Sequence, residues 1–426
     1  MLAEAERAAA AGPPADGRTD MRDRPFVTID PPASMDLDQA MLLERREDGF
    51  RVNYAIADVS AIVPAGGAIE REAWSRGITV YCPDERVMLY PQRICEDAAS
   101  LLPDRDRAAM VYVIDLDAEG RQTAAAVTPA LVRSRRKLAY GENEIPLLRE
   151  IGERRIALAR ERGSVSLNAP AQTVVADPRS PCGYGLELER RSPDEDWNAE
   201  ISLLAGMAAA GMMRQLKIGL LRTMGGTDEY RVSRLRAAAR GLGVAWPDSQ
   251  SFADFATALD PAQPRQAALI EEARDVMGHA GYAFFEGDPP ADGEHAGVAA
   301  YYAHTTAPLR RLADRYVLDL VAGRANRDAL SRLPAVMAET GSRAARVERA
   351  IVDDAEVRLL EHRVGERFEA VALENDRRGT VIRIAEPPVR ARLHADPQPA
   401  PGDRLAVTLV RADPASRSLE FRPASG

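Results

Sequence analysis

Asp30, Asp36 and Asp38 fall within the stretch TIDPPASMDLDQA, residues 28 to 40, directly after an apolar run that begins at Phe26. Carboxylates this close repel one another, and each raises the cost of ionising its neighbours unless they share a cation. A strand delivers Asp30, the turn Pro31-Pro32-Ala33-Ser34 returns the chain, and extended backbone sends Asp36 and Asp38 to the same side. Hard oxygen donors converging in this way suit magnesium, or manganese in its place. A solvated acidic turn is the alternative, and the three residues alone leave both open. Other acidic motifs fit less well. An EF-hand loop needs oxygen donors at alternate positions and a glycine midway, and DPPASMDLDQA has neither. A phosphatase nucleophile of the Asp-x-Asp type follows an apolar strand directly, whereas PPASM precedes Asp36.

The second chemically suggestive stretch is YYAHTTAPLRRLADRY, residues 301 to 316. Pro308 suits a helix start, which places Arg310 and Arg311 in the first turn, facing different ways. The guanidinium fork matches phosphate oxygens. An ordinary surface helix, its arginines paired with Asp314 and similar residues, explains the same pattern.

These residues need a scaffold. RPFVTID reads as a strand, and EDG between two apolar stretches reads as a hairpin. GAIEREAWSRG has helical spacing, with Ile69, Ala73 and Trp74 on one face. The middle is dominated by helical patterns: DWNAEISLLAGMAAAGMMRQLKIG ending at glycine, DEYRVSRLRAAARGLG, QAALIEEARDVMGHAGYAFF, and a charged helix over 338–363. After Gly365 short alternating segments cut by turns suggest a small β-barrel of OB type. The division is a short helix and linker over 1–23, a mixed α+β domain over 24–363, and a β-barrel over 364–426.

The whole chain is consistent with that. Its 426 residues allow more than one domain, and 46% hydrophobic content reads as globular. No apolar run is long enough to span a bilayer, and the first 20 residues make a poor signal peptide. Three widely spaced cysteines suggest neither a disulfide framework nor a zinc site, so the expectation is a cytoplasmic monomer with no membrane partner. A net charge of −9 argues mildly against a general polyanion binder, but an acidic enzyme can still hold a basic channel. The five histidines have no metal-ligand spacing; His304, in YAHTTAP, is expected to shape the site.

Taken together, FVTIDPPASMDLDQA, the segment from Tyr54 to Pro91, CEDAASLLPDRDRAAMVYVID, SRRKLAYGENE and YYAHTTAPLRRLADRY resemble the catalytic domain of the ribonuclease II / ribonuclease R family of exoribonucleases. They occur in the family order over about residues 24 to 335, and the C-terminal segment resembles that family's S1-type OB domain. The resemblance implies a mixed sheet wrapped by helices (the RNB fold). It implies processive, magnesium-dependent 3′-to-5′ hydrolysis of single-stranded RNA to nucleoside 5′-monophosphates. By the same likeness Asp30, Asp36 and Asp38 match metal-cluster carboxylates, and Arg310 matches the arginine that stabilises the attacked phosphate, with Arg311 beside it on the RNA. Tyr81 and Tyr140 match aromatics that stack on bases, and Glu200 matches a glutamate lining the RNA channel.

The chain departs from the family pattern in four places. Gln39 replaces a fourth carboxylate; its carbonyl can still ligate the cation beside Asp30, Asp36 and Asp38, but the amide removes an anion from the metal cluster. Ala-Pro-Leu-Arg at 307–310 lacks the family's serine hydroxyl, and Gly206 stands in place of an asparagine. Only about 23 residues precede the catalytic segment, where relatives carry two cold-shock domains. Gln39 keeps a second reading open: a catalytically weak or inactive homologue that holds RNA 3′ ends.

Overall fold

The computed structural model describes residues 1–141, 145–167, 169–189, 191–324, 326–384 and 386–424. The first part of the chain forms α1 (Leu2–Ala11), β1 (Thr19–Asp20), β2 (Phe26–Ile29), β3 (Gln39–Arg46), β4 (Gly49–Ala57), α2 (Ala68–Arg76), β5 (Val80–Tyr81), β6 (Arg86–Val87), β7 (Asp106–Asp117) and β8 (Gln122–Leu138). Six of these strands make one sheet in the order β1-β8-β2-β3-β4-β7. β8 pairs antiparallel with β7 along its first part and parallel with β2 at its end, Phe26 opposite Ser134 and Ile29 opposite Leu138, so the sheet wraps back on itself. The expected hairpin joins β3 to β4, with Arg46 opposite Gly49. Gly49 has φ +149°, and a Cβ there would stand 2.1 Å from the Leu116 carbonyl oxygen of β7, so only glycine fits.

Residues 1–23 are part of this packing. Ala5 of α1 is 1% exposed, and Glu4 accepts hydrogen bonds from the first amides of α2 at 2.8 Å (Ala68) and 3.4 Å (Ile69). A carboxylate at a helix N-terminus satisfies amides that have no partner within the helix.

The middle contains α3 (Pro146–Arg162), β9 (Ala171–Ala176), β10 (Tyr184–Glu189), α4 (Pro193–Leu216), β11 (Ile218–Met224), α5 (Glu229–Gly241), α6 (Phe252–Ala258), α7 (Pro264–Val276) and β12 (Ala280–Glu286). It is less uniformly helical than the sequence suggests. α4 ends at Leu216 with Lys217 in the left-handed region (φ +57°), not at a glycine. GYAFF does not continue α7; it pairs with β11, and the Phe285 ring lies over Gly219, where a Cβ would come within 2.6 Å of it. α4 lies against the sheet through the buried small residues Ala205, Ala208, Ala209 and Ala210, and Tyr54 Oη of β4 hydrogen-bonds Ser202 Oγ at 2.7 Å.

α8 (Leu312–Val321) and the 34-residue α9 (Arg327–Leu360) follow. α9 continues through Pro334, whereas the sequence pattern starts a helix only at 338; proline in a helix interior costs about 3 kcal/mol. Buried Leu330, Leu333 and Met337 on either side hold the helix to the core. The last elements, β13 (Arg367–Asp376), β14 (Gly379–Ile384), β15 (Arg390–Leu393), β16 (Arg404–Asp413) and β17 (Ser418–Pro423), close into the expected barrel, in the order β13-β14-β15-β17-β16. Its core holds Phe368, Ile382, Val407, Leu409 and Phe421, and Leu360 at the end of α9 joins it. Buried Glu356 accepts from Arg390 N at 2.9 Å and from Gln172 Nε2 at 2.8 Å, tying α9 to the barrel and to β9. No helix among the described residues is long and apolar enough to cross a membrane.

Candidate active site

β2 and β3 bring the acidic stretch to one wall of a cavity of about 590 Å³ that Asp30, Asp36, Asp38 and Gln39 all line. The connecting loop is held by Lys137 Nζ, which donates to the carbonyls of Pro32 and Ser34 at 2.7 and 2.5 Å. β3 begins only at Gln39, so Asp36 and Asp38 lie just before the strand; Leu37 between them is fully buried and faces the core instead. Burial pushes Asp38 up to about 7, against the opposing pull of Arg310 and of the Leu309 amide, which donates to Asp38 Oδ1 at 2.8 Å. Burial also pushes Asp30 up to about 7, and its Oδ2 is buried with no hydrogen-bond partner. Asp36 instead accepts from Arg86 at 2.9 Å, and the same guanidinium reaches Glu96 at 2.8 Å. The Gln39 amide donates to the carbonyl of Thr306. Among the described residues, no three or more His, Cys, Asp or Glu side chains are grouped so as to hold a metal ion.

Opposite stands the turn 307–311. It precedes α8, whose first residue is Leu312, so Arg310 and Arg311 are not in the first helical turn. Arg310 Nε lies 3.3 Å from Asp38 Oδ2, with 45% of the arginine side chain exposed to the cavity. Arg311 lines the cavity too, and it grips fully buried Asp314 with two hydrogen bonds, at 3.0 and 2.9 Å, while Asp314 also accepts from the Ala307 amide at 2.7 Å. Burial opposes ionisation of Asp314, but Arg311 outweighs it and holds the carboxyl below its ordinary range. The ion pair expected on an ordinary helix therefore exists, but it is buried and it shapes the turn that presents Arg310. His304, pushed down to about 3 by burial and bonded to Tyr282 Oη at 2.6 Å, precedes this turn as a neutral imidazole.

Tyr81 and Tyr140 line the same cavity. Tyr81 sits on the β5–β6 hairpin with 42% of its surface exposed and its phenol toward Arg310. Tyr140 is half-buried, and its Oη accepts from Asn198 Nδ2 of α4 at 2.7 Å. Glu200 is not brought to this cavity. It lies in α4 near Arg155 and Arg162 and lines an adjoining cavity of about 610 Å³, which shares Arg191, Ala199 and Leu203 with the first. At Gly206 a Cβ would stand 2.1 Å from Tyr302 Cε2, so the asparagine expected there by resemblance cannot be accommodated. Sequence reasoning passed over Arg86 and Asn198. Arg86 is the cross-strand partner of Tyr81, a pairing that the turn residues between them could have signalled.

The model of the RNB domain matches residues 18–323, and that of the RNase II-type exonuclease C-terminal S1 domain matches residues 366–424. The chain belongs to the RNB-domain family. Ribonuclease R of Escherichia coli is 28% identical over 322 residues, covering 70% of this chain and 39% of its own. The chain thus spans about two-fifths of the length of that curated relative. Mycoplasma genitalium RNase R in its apo form superposes on all of the chain with a TM-score of 0.87 at 19% identity, covering 75% of its own length. A structure of yeast Ssd1, described as a pseudonuclease, superposes on 94% of this chain with a TM-score of 0.71 at 17% identity, covering 54% of its own length. At such identities the likeness concerns the fold, and the RNB fold is found in a pseudonuclease as well as in ribonucleases.

Proposed function

We propose that this RNB–S1 chain is a divalent-metal-dependent exoribonuclease that removes nucleoside 5′-monophosphates processively from the 3′ end of single-stranded RNA. The observation that carries the reading is the buried Asp38 set against a cavity-facing Arg310, with the Leu309 amide fixing the carboxylate. The Asp38 carboxylate draws the guanidinium toward it, and the remaining donors are free of Asp38 to meet phosphate oxygens.

Two buried carboxylates raised toward neutrality, one with an oxygen that has no partner, are the donor chemistry a hard divalent cation requires. Asp30 and Asp38 would hold the ion, magnesium or manganese. Such an ion supplies positive charge that makes a bound water a nucleophile near neutral pH and offsets charge on the phosphate. The chain's own groups do the rest. Tyr81, and Tyr140 anchored by Asn198, offer faces on which bases stack without regard to sequence. Arg310 binds the terminal phosphodiester and stabilises the extra negative charge as the P–O3′ bond breaks. Asp38 and the 307–311 turn hold that arginine in place, and the Arg311–Asp314 pair holds the turn, which makes Arg311 a positioning residue. The barrel would add contacts to the upstream RNA.

Gln39 favours one alternative, an RNA-binding homologue without hydrolysis, because the amide brings no charge to the cluster. A 5′-labelled single-stranded RNA incubated with magnesium, manganese or EDTA separates the two. Shortening abolished by EDTA supports the enzyme; intact RNA in every lane together with a gel shift supports the binder.

A further inference from the structure

β11 and β12 form a hairpin with a large insertion at its tip. The ladder ends with Met224 opposite Ala280, and residues 227–277 lie between them, carrying α5, α6 and α7. These helices have a core of their own, in which Leu235, Phe255, Leu269 and Ile270 are buried apart from the main core. Leu167 and Ala169, from the segment after α3, pack against its edge. Two crossings join the insertion to the rest of the chain, Gly225-Gly226-Thr227 outward and Met277-Gly278-His279 back. They pass backbone against backbone: a Cβ on Gly278 would stand 3.0 Å from the N, Cα and O of Gly225. Glycine permits so close a passage, and it leaves the backbone the most freedom to turn.

Polar ties are few. Among the described residues, every hydrogen bond and ion pair of 227–277 but one is internal, as where Arg236 donates to the carbonyls of Trp246 and Gln250 and Arg265 to that of Leu242. The exception is Glu271 of α7, which joins Arg390 Nη1 of β15 at 2.9 Å while holding Arg274 of its own helix at 3.0 Å. Open space lies on both flanks. Toward the core is the cavity of about 610 Å³ that Glu200 lines, walled on the insertion's side by Thr257, Arg274 and Met277. Toward the barrel is another of about 670 Å³, between Arg231 and Arg234 on one side and Asn375 and Pro401 on the other. A body with its own core, a glycine neck, one polar tie and space to either side can turn as a unit.

We propose that α5–α7 is a hinged gate. It turns about Gly225, Gly226 and Gly278, and the Glu271–Arg390 pair latches it back against the barrel. Release lets it close into the cavity beside the acidic site, carrying Arg274 toward whatever anion lies there. The hinge stands on this geometry alone. That the gate closes on an RNA strand, whose phosphates attract Arg274, rests on the exoribonuclease reading.

The test measures distances by electron-electron double resonance between spin labels on exposed helix positions. One pair, Ala157→Cys with Ala237→Cys, spans core and gate; a second, Ala237→Cys with Ala262→Cys, lies within the gate. Both are made with Cys82→Ser and Cys182→Ser, since Cys95 is buried. Single-stranded RNA in EDTA should shift the first pair to a shorter distance and leave the second unchanged. Arg390→Gln should raise the short-to-long ratio two- to fivefold without RNA, the scale of a partly exposed ion pair, and slow RNA dissociation by a similar factor. Gly225→Ala with Gly226→Ala should keep the melting temperature and reduce the response to RNA. Neither new Cβ meets an obstacle, with nothing within 4 Å at Gly226 and Gly278 Cα 3.9 Å away at Gly225. An unmoved first pair in all three proteins, or equal shifts in both pairs, overturns the hinge. A shift toward the shorter distance with unchanged RNA dissociation overturns the gate. If no chain binds RNA, the exoribonuclease reading falls, and the Arg390→Gln distances still decide the hinge.

Discussion

Arg310 Nε lies 3.3 Å from Asp38 Oδ2, joining the end of the acidic stretch to a turn 272 positions later in the chain. The carboxylate is 4% exposed and the arginine 45%, so the pair presents positive charge to the cavity and keeps its anion behind. That polarity suits binding of a phosphate at Arg310.

Arg310→Ala therefore lowers the rate of RNA cleavage far more than RNA affinity. Loss of a positioned donor to developing charge costs about 10²- to 10³-fold in turnover. Single-turnover cleavage with saturating enzyme, set beside filter binding, measures both. Equal losses in the two would mean that Arg310 acts in ground-state binding.

The metal-free protein becomes less stable as pH rises toward and through about 7. Asp30 and Asp38 both titrate near 7 when folded, above an ordinary aspartate, so the folded chain holds their protons longer than the unfolded chain does. Their contribution is complete below about pH 4 and is lost as pH passes through about 7. Melting in EDTA from pH 5 to 8 should decline accordingly, and Asp38→Asn, which cannot ionise, should flatten the decline. A melting temperature that rises over this range contradicts the burial argument.

Gln39→Asp exchanges a donor for a second acceptor facing the Thr306 carbonyl. Without metal the variant should lose about 1–3 kcal/mol, the cost of leaving a buried polar group unsatisfied. Added Mn²⁺ should stabilise it more than it stabilises the unaltered chain. Thermal melts with and without Mn²⁺ test the sign of both effects.

The two tyrosines differ in what they hold. Tyr81 is 42% exposed on a short hairpin, so Tyr81→Ala should change stability little and weaken single-stranded RNA binding by about 1–3 kcal/mol. Tyr140→Ala removes the partner of Asn198 and packing against the core, so it should lower both affinity and melting temperature. Denaturant melts and fluorescence anisotropy with a labelled oligonucleotide separate these outcomes.

Gly206→Ala places a Cβ against the Tyr302 ring and should destabilise the chain by about 1–3 kcal/mol, the usual cost of overpacking. Urea unfolding measures it. A neutral result would show that α4 and the Tyr302 segment move apart easily.

Much of this was readable in the chain before its coordinates. The acidic stretch, the β3–β4 hairpin, α2 and the C-terminal barrel follow from local pattern and turn residues, because each is set by neighbours in sequence. Asp38 and Arg310 could be paired only through family likeness, since nothing local joins them. Other features depended on tertiary packing. Pro334 remains helical because the core holds both its flanks, and GYAFF becomes a strand because β11 is there to pair with it. Arg311 lines the cavity, yet Asp314, three residues on, also engages its guanidinium, a pairing the i, i+3 spacing leaves open in sequence. Arg86 escaped notice because its partners lie 50 and 10 residues away, with no period linking them.

The most direct measurement follows one RNA carrying its label at the 3′ end in one sample and at the 5′ end in another, with magnesium, for the unaltered chain and for Asp38→Asn. Hydrolysis from the 3′ end turns the 3′ label into a mononucleotide in the first products, while the 5′ label passes from full length to a short remnant without intermediates. Asp38→Asn should do neither. A 5′ mononucleotide appearing first, a ladder of internal fragments, or undiminished cleavage by Asp38→Asn would contradict an exonuclease built on Asp38 and Arg310.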